Sequence, residues 1–298
     1  MNPRRSLMGA PLLISALVLS GCGVGQQSSG SAGKLAVVTS FYPLQFATQQ
    51  IGGEHVTVTN LTKPGAEPHD IELTPQQVGS VSKAKLVVYE KGLQGAVDSA
   101  VQSQGGDHSL DVAPAAKLDL KLATGSTDPH FWLDPQRYSD VATAIAARLS
   151  SADPANRATY QKNAKTFEDR LTALSADFTT GLASCQRKDI VTSHSAFGYL
   201  ARRFGMKQIA INGLSPEQEP KASAIATVST YARANGVTTI YAETLVSPAI
   251  AQTVARESGA AMATLDPIEG LTRASAGKDY FEVMRSNLKA LRLGQGCP

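Results

Sequence analysis

Aromatic residues are scarce in this chain, 6% of 298 positions with a single Trp, and positive charge exceeds negative by only three. Arg4 and Arg5 supply two of those three charges in an N-terminal stretch without acids, so the remainder is close to neutral. A polyanion-binding surface needs clustered bases, and single-stranded nucleic acid also asks for interleaved aromatics, so no nucleic-acid partner is implied. Long apolar runs are missing too. Leu12 to Leu19 falls well short of the ~20 residues that a membrane-spanning helix requires. No glycine-rich phosphate loop ends in Gly-Lys-Ser or Gly-Lys-Thr, so ATP hydrolysis is not a property of this chain. No His-Glu-x-x-His motif is present, which removes the commonest signature of a zinc hydrolase. There are three Cys and five His.

What is present begins with an address. Arg4 and Arg5 precede the apolar run, and Leu19-Ser20-Gly21-Cys22 places small residues before a Cys, as in a bacterial lipobox. Residues 1–21 are therefore expected to be a lipoprotein signal peptide, with Cys22 lipidated and 22–34 a flexible Gly, Ser and Gln tether. Such a chain is exported and held on a membrane surface. Of the other cysteines, Cys185 and Cys297 form an even pair in an oxidising compartment and are expected to bridge.

From Leu35 onward short apolar, β-branched runs alternate with helical periodicity. Leu35 to Thr39, His55 to Asn60 and Leu86 to Tyr89 read as strands. Pro43 to Ile51, Pro75 to Ala84 and Leu93 to Gln102 read as helices, and this alternation implies parallel βα units. The middle differs. Pro135 to Ser150 is helical, and the stretch from Asp153-Pro154 to Cys185 has Phe167, Leu171, Leu174 and Phe178 at helical spacing with no further Pro. It predicts one helix of roughly 30 residues, on the order of 45 Å long. Alternation then resumes from Ile190 to Leu265, with a closing helix from Asp279 to Leu293. The expected fold is α/β with two lobes, 35–152 and 185–298, each a small parallel sheet flanked by helices, joined by a rigid helix over 153–184.

In open parallel sheets ligands bind beyond the carboxyl ends of the strands. His69, His130, His194 and Asp266 all fall in segments that follow predicted strands, two per lobe, and would converge in the cleft between lobes. Three imidazoles and one carboxylate form a donor set of borderline softness that suits Zn²⁺. Glu67, two residues before His69, is an alternate ligand or a partner for a ligand ring. His55, opening a strand, and His108, in a Gly and Asp loop, fit this pattern poorly.

Several segments together resemble the zinc and manganese receptors of bacterial ABC importers, a family of metal-binding solute-binding lipoproteins. They are Pro64-Gly65-Ala66-Glu67-Pro68-His69, Asp128-Pro129-His130-Phe131-Trp132-Leu133-Asp134-Pro135, Thr192-Ser193-His194-Ser195-Ala196-Phe197, Ser215-Pro216-Glu217-Gln218-Glu219-Pro220, Tyr241-Ala242-Glu243 and Leu265-Asp266-Pro267-Ile268. The resemblance spans the chain from Leu35 and implies metal ligands at His69, His130, His194 and Asp266. Glu217 and Glu243 match family positions and are expected to orient ligand rings. Manganese receptors of this family tend to place a carboxylate at the third ligand position, where this chain has His194, so Zn²⁺ is expected over Mn²⁺. No long His-rich acidic loop precedes His130. The resemblance implies a monomeric, lipid-anchored receptor that is not an enzyme and serves a membrane permease with a separate ATPase subunit. A zinc-dependent exported hydrolase is the rival reading, requiring a water in place of Asp266 with Glu67 as base. A manganese-specific receptor of the same family is the other.

Overall fold

The structure, a computed structural model, describes residues 33–122 and 125–298. The expected signal peptide, Cys22 and the tether as far as residue 32 lie outside the described residues. The chain opens with β1 (Leu35–Thr39), α1 (Tyr42–Gly52), β2 (Val56–Asn60), α2 (Pro75–Lys83), β3 (Leu86–Tyr89), α3 (Gly95–Ala100), β4 (Ser109–Asp111) and α4 (Ala113–Ala116). Then α5 (Pro135–Ala152) and α6 (Arg157–Leu182) follow. The second half runs β5 (Asp189–Thr192), α7 (Gly198–Arg203), β6 (Lys207–Ala210), α8 (Ala222–Ala234), β7 (Thr239–Ala242), α9 (Ala249–Ser258), β8 (Ala261–Thr264) and α10 (Tyr280–Gln295).

Two four-stranded sheets result, in the orders β2-β1-β3-β4 and β6-β5-β7-β8, with every pairing parallel. The same crossover pattern thus occurs twice. Central strands β3 and β7 are buried at every residue, as a sheet covered on both faces demands, and read as unbroken apolar runs. At the edge, β2 alternates Val with Thr and is half exposed.

The connector is shorter than the sequence suggests. Pro154 does not start the long helix; Pro154–Asn156 forms a separate 3₁₀ turn, and α6 begins at Arg157 and has 26 residues. At 1.5 Å per residue it is about 39 Å long. Its buried stripe, Tyr160, Ala164, Phe167, Leu171, Leu174, Phe178 and Leu182, recurs every three or four residues. Along that stripe α6 packs against α1 and α5 of the first lobe and α10 of the second.

One apolar core crosses both lobes, running from Val37 and Phe41 through Phe167 to Tyr241, Leu265 and Phe281. At its centre Phe46 of α1 meets Phe167 of α6 and Tyr280 and Phe281 of α10, with ring centroids 5.9 to 6.1 Å apart. Among the described residues no helix is long and apolar enough to cross a membrane.

Cys185, just beyond α6, is disulfide-bonded to Cys297 after α10, 112 positions further along the sequence. A loop of that size restricts the unfolded chain strongly. Replacing both residues by Ser is expected to lower the unfolding free energy by roughly 2–5 kcal/mol. A urea titration under non-reducing conditions checks this, and an unchanged midpoint would show that the bridge contributes nothing.

Candidate metal centre

Three donors approach from segments that directly follow a strand, and His130 from the longer segment beyond β4 and α4. His69 lies between β2 and α2, and His130 between β4 and α5. His194 follows β5 by two residues, and Glu269 lies in the turn after β8. One ligand atom from each of these four residues falls within 4.8 Å of all the others. The Nε2 atoms of His130 and His69 are 3.3 Å apart, as are those of His194 and His130. Glu269 Oε1 stands 3.2, 3.0 and 3.3 Å from Nε2 of His69, His130 and His194. A tetrahedral centre with metal–nitrogen bonds of ~2.0–2.1 Å has donor–donor edges of about 3.3 Å. Five of the six donor–donor distances already match such an ion. The side chains of His130 and His194 are fully buried, and those of Glu269 and His69 are 1% and 7% exposed.

Two rings are held by the same device. Asp128 Oδ1 accepts from the backbone N–H of His130 at 2.9 Å and lies 2.7 Å from its ring Nδ1. Glu243 accepts from the backbone N–H of His194 at 3.0 Å and lies 2.7 Å from its Nδ1. A carboxylate on Nδ1 keeps a proton there and leaves Nε2 as the donor atom turned to the cluster. The Asp128 carboxylate needs room to do this. A Cβ on Gly198 would come within 2.5 Å of its Oδ2, so only glycine fits at the start of α7. Glu67 accepts from the backbone N–H of His69 with both oxygens, at 3.1 and 3.0 Å.

Three of the four ligands expected from the sequence meet in the cluster; Asp266 does not. Its carboxylate is turned into its own turn, accepting from Ile268 N–H at 2.8 Å, Thr244 Oγ1 at 3.0 Å and Ser275 Oγ at 2.9 Å. Fully used in this way, it supports the loop, and the fourth place in the cluster belongs to Glu269, three residues on. Asp266 is the first carboxylate after the strand, and Glu269 stands in the same strand-end segment with one more methylene of reach. Glu217 is exposed and lies outside the cluster. His55 packs edge-on against Tyr160, and His108 Nε2 lies 3.1 Å from the Val81 carbonyl.

The electrostatics of the cluster favour positive charge at its centre. Burial works to lower the pKa of His130, but Asp128 and Glu269 outweigh it and leave the ring above its ordinary value. For His194 burial is again opposed, here by Glu243 and Glu269, and the ring is held well above the ordinary range. Burial pushes Glu269 up, yet the three imidazoles hold it well below the usual carboxylate range. Glu67 is pushed up to about 7 by burial and by repulsion from Glu269. A cavity of about 210 Å³ is walled by Tyr42, Asn60, Thr62, Pro64 and Glu269, the one member of the cluster that lines it.

Comparison with known proteins bears on the identity of the cation. The family described as "ZnuA: Zinc-uptake complex component A periplasmic" matches residues 37–294. The high-affinity zinc uptake system protein ZnuA of Bacillus subtilis is 35% identical over 298 residues, covering 93% of this chain and 93% of that protein. The zinc-binding lipoprotein AdcA of Streptococcus pneumoniae is 34% identical over 94% of this chain, which spans only 59% of AdcA. The solved ZnuA-like domain of S. pneumoniae AdcA, with Zn(II) bound, has a TM-score of 0.76 to this structure at 35% identity, covering 88% of this chain and 99% of that one.

The raised pKa values fix the sign of the pH dependence. A group whose folded pKa exceeds its unfolded value stabilises fully below the unfolded value, about 6.5 for His, and the contribution is lost as pH rises through the folded value. Glu67 acts in the same direction up to about 7. The metal-free protein should therefore lose thermal stability as pH rises from 6 to 9. Zinc requires unprotonated Nε2 atoms, so zinc affinity should fall as pH drops through the same window. Melting curves of metal-free and zinc-loaded protein across this range check both slopes; a metal-free melting temperature that rises with pH would contradict the assignment.

Proposed function

The chain belongs to the ZnuA family of zinc-uptake component A proteins, and from that premise we propose that it captures Zn²⁺ outside the cytoplasm and delivers it to an ABC-type importer. The carrying observation is the convergence of three imidazole Nε2 atoms and one carboxylate oxygen in a buried cleft, with five of their six mutual distances at 3.0 to 3.3 Å. His69, His130, His194 and Glu269 are the ligands in this reading, with Asp128 and Glu243 orienting two of the rings. Zinc is cargo here, held by protein donors alone. Such a closed site suits capture, whereas a catalytic zinc keeps a position open for water. The chain is accordingly a receptor and not a hydrolase.

Zinc over manganese follows from the donors. Three imidazoles and one carboxylate are softer than the all-oxygen sets that Mn²⁺ favours, and four donors at tetrahedral spacing leave no place for an octahedral shell. The AdcA relative is called a lipoprotein, which supports lipidation at Cys22 and a tether over 22–34 holding a monomeric receptor beside its permease. The permease and its ATPase are separate chains. The functional organisation follows the two sheets, with lobes over 35–152 and 185–298 and the connecting helix within 153–184.

The test is native mass spectrometry of protein beginning after Cys22, stripped of metal and offered equimolar Zn²⁺ and Mn²⁺. One Zn²⁺ per chain is expected. His130→Ala and Glu269→Ala should each weaken zinc binding by roughly 100-fold or more, since each removes a ligand outright and even supporting groups are worth ~10–100-fold. Preferential Mn²⁺ loading, or zinc binding indifferent to both substitutions, would overturn the assignment.

A further inference from the structure

The turn that delivers Glu269 is pinned at each residue before it. Asp266 N–H donates to Asn287 Oδ1 at 2.9 Å, and Asn287 Nδ2 donates back to the Asp266 carbonyl at 2.7 Å. The Pro267 carbonyl accepts from the indole Nε1–H of Trp132 at 2.7 Å. Ile268 N–H donates to Asp266 Oδ1 at 2.8 Å. Ile268 is thereby held at φ 59°, one of two non-glycine residues with positive φ among the described residues. A β-branched residue avoids this region, so the conformation persists only because its surroundings impose it.

One of these pins comes from the other lobe. Trp132 stands two residues after His130 and is fully buried. Tyr280 Oη donates to its carbonyl at 2.6 Å, and Phe41 packs against its ring with centroids 4.9 Å apart. Its indole is therefore a fixed point of the first-lobe loop, and it reaches 135 residues along the chain to Pro267. We infer that Trp132 and Asp266 are positioning residues for Glu269: the indole N–H and the Asp266 carboxylate hold the left-handed turn at Ile268, which aims the fourth donor at the three imidazoles. Neither side chain touches the ion. The loop that presents His130 also sets where Glu269 stands, so two ligands from opposite lobes share one support. This rests on the reading of Glu269 as a zinc ligand.

Trp132→Phe keeps an aromatic ring and removes the donor. Asp266→Ala removes the acceptor for Ile268 N–H, while Asp266→Asn keeps it through its amide oxygen and can donate to the hydroxyl oxygens of Thr244 and Ser275. Zinc affinity and the visible absorption of Co²⁺-loaded protein are measured for these variants, for Glu269→Ala and for Trp132→Phe/Glu269→Ala. Melting temperatures restrict the comparison to folded variants. Co²⁺ in a tetrahedral site absorbs strongly, and the bands weaken when water enters. Trp132→Phe and Asp266→Ala should weaken zinc binding roughly 10- to 100-fold and dim the Co²⁺ bands. Asp266→Asn should retain both. Added to Glu269→Ala, Trp132→Phe should cost little more, because its effect passes through the missing carboxylate. An equal loss with and without Glu269, or an unchanged Co²⁺ spectrum in Trp132→Phe, would overturn the inference while leaving the ligand assignment standing. Should Glu269→Ala alone change neither affinity nor spectrum, the ligand assignment itself fails.

Discussion

A carboxylate packed among three imidazoles in a nearly dry cleft is the constraint on which this structure depends. Burying an unpaired carboxylate is costly, and packing unprotonated imidazole nitrogens 3.3 Å apart sets lone pairs against each other. In the metal-free protein, protons on the rings relieve both problems, which is why His130 and His194 are raised while Glu269 is depressed. Asp128 and Glu243 serve twice in this balance. They neutralise the outer side of their rings, and by also binding the backbone N–H of the same residue they leave the ring little freedom to turn away. A divalent cation replaces the ring protons, so capture exchanges positive charge for positive charge.

Such close placement requires a frame that does not drift. The frame is the single core that crosses both lobes, with α6 lying against α1, α5 and α10. Its aromatic centre joins Phe46 of one lobe to Tyr280 and Phe281 of the other. Local chemistry then completes the site: a glycine where Asp128 needs clearance, an Asp134 cap opening α5 directly after the His130 loop, and a strained turn before Glu269.

The sheets were legible because parallel strands covered on both faces must be apolar throughout, and Leu86 to Tyr89 and Thr239 to Ala242 have that character. Three members of the cluster were legible because His is rare here and His69 and His194 stand in the segments that follow β2 and β5, while His130 stands beside the single Trp. The start of α6 was misplaced because a proline fits the first turn of an α-helix and a 3₁₀ turn equally well, and only tertiary packing decides between them. Glu269 was missed for a different reason. Its place depends on a left-handed Ile268, a conformation that a β-branched residue gives no local sign of, and on an indole bond from 135 residues away. The pairing of Glu243 with His194 likewise depends on β5 lying beside β7, a neighbour relation that chain order does not contain.

The shared core also limits how zinc can leave. Swinging the lobes apart would expose the rings of Phe46, Phe167, Tyr280 and Phe281, roughly 400 Å² if each gives up about half its surface, at a cost on the order of 10 kcal/mol. That approaches the whole ~12 kcal/mol of a nanomolar complex, so wide hinge opening is a poor route for release. Moving one donor is far less demanding. Glu269 sits on a turn strained by about 1–3 kcal/mol and lines a cavity beside the cluster. If Trp132 positions Glu269 as inferred above, a small shift between the His130 loop and the Pro267 carbonyl would remove one pin from that turn. Such a shift would leave the aromatic core closed and three imidazoles facing the ion, which makes the Glu269 turn the least demanding part of the site to move.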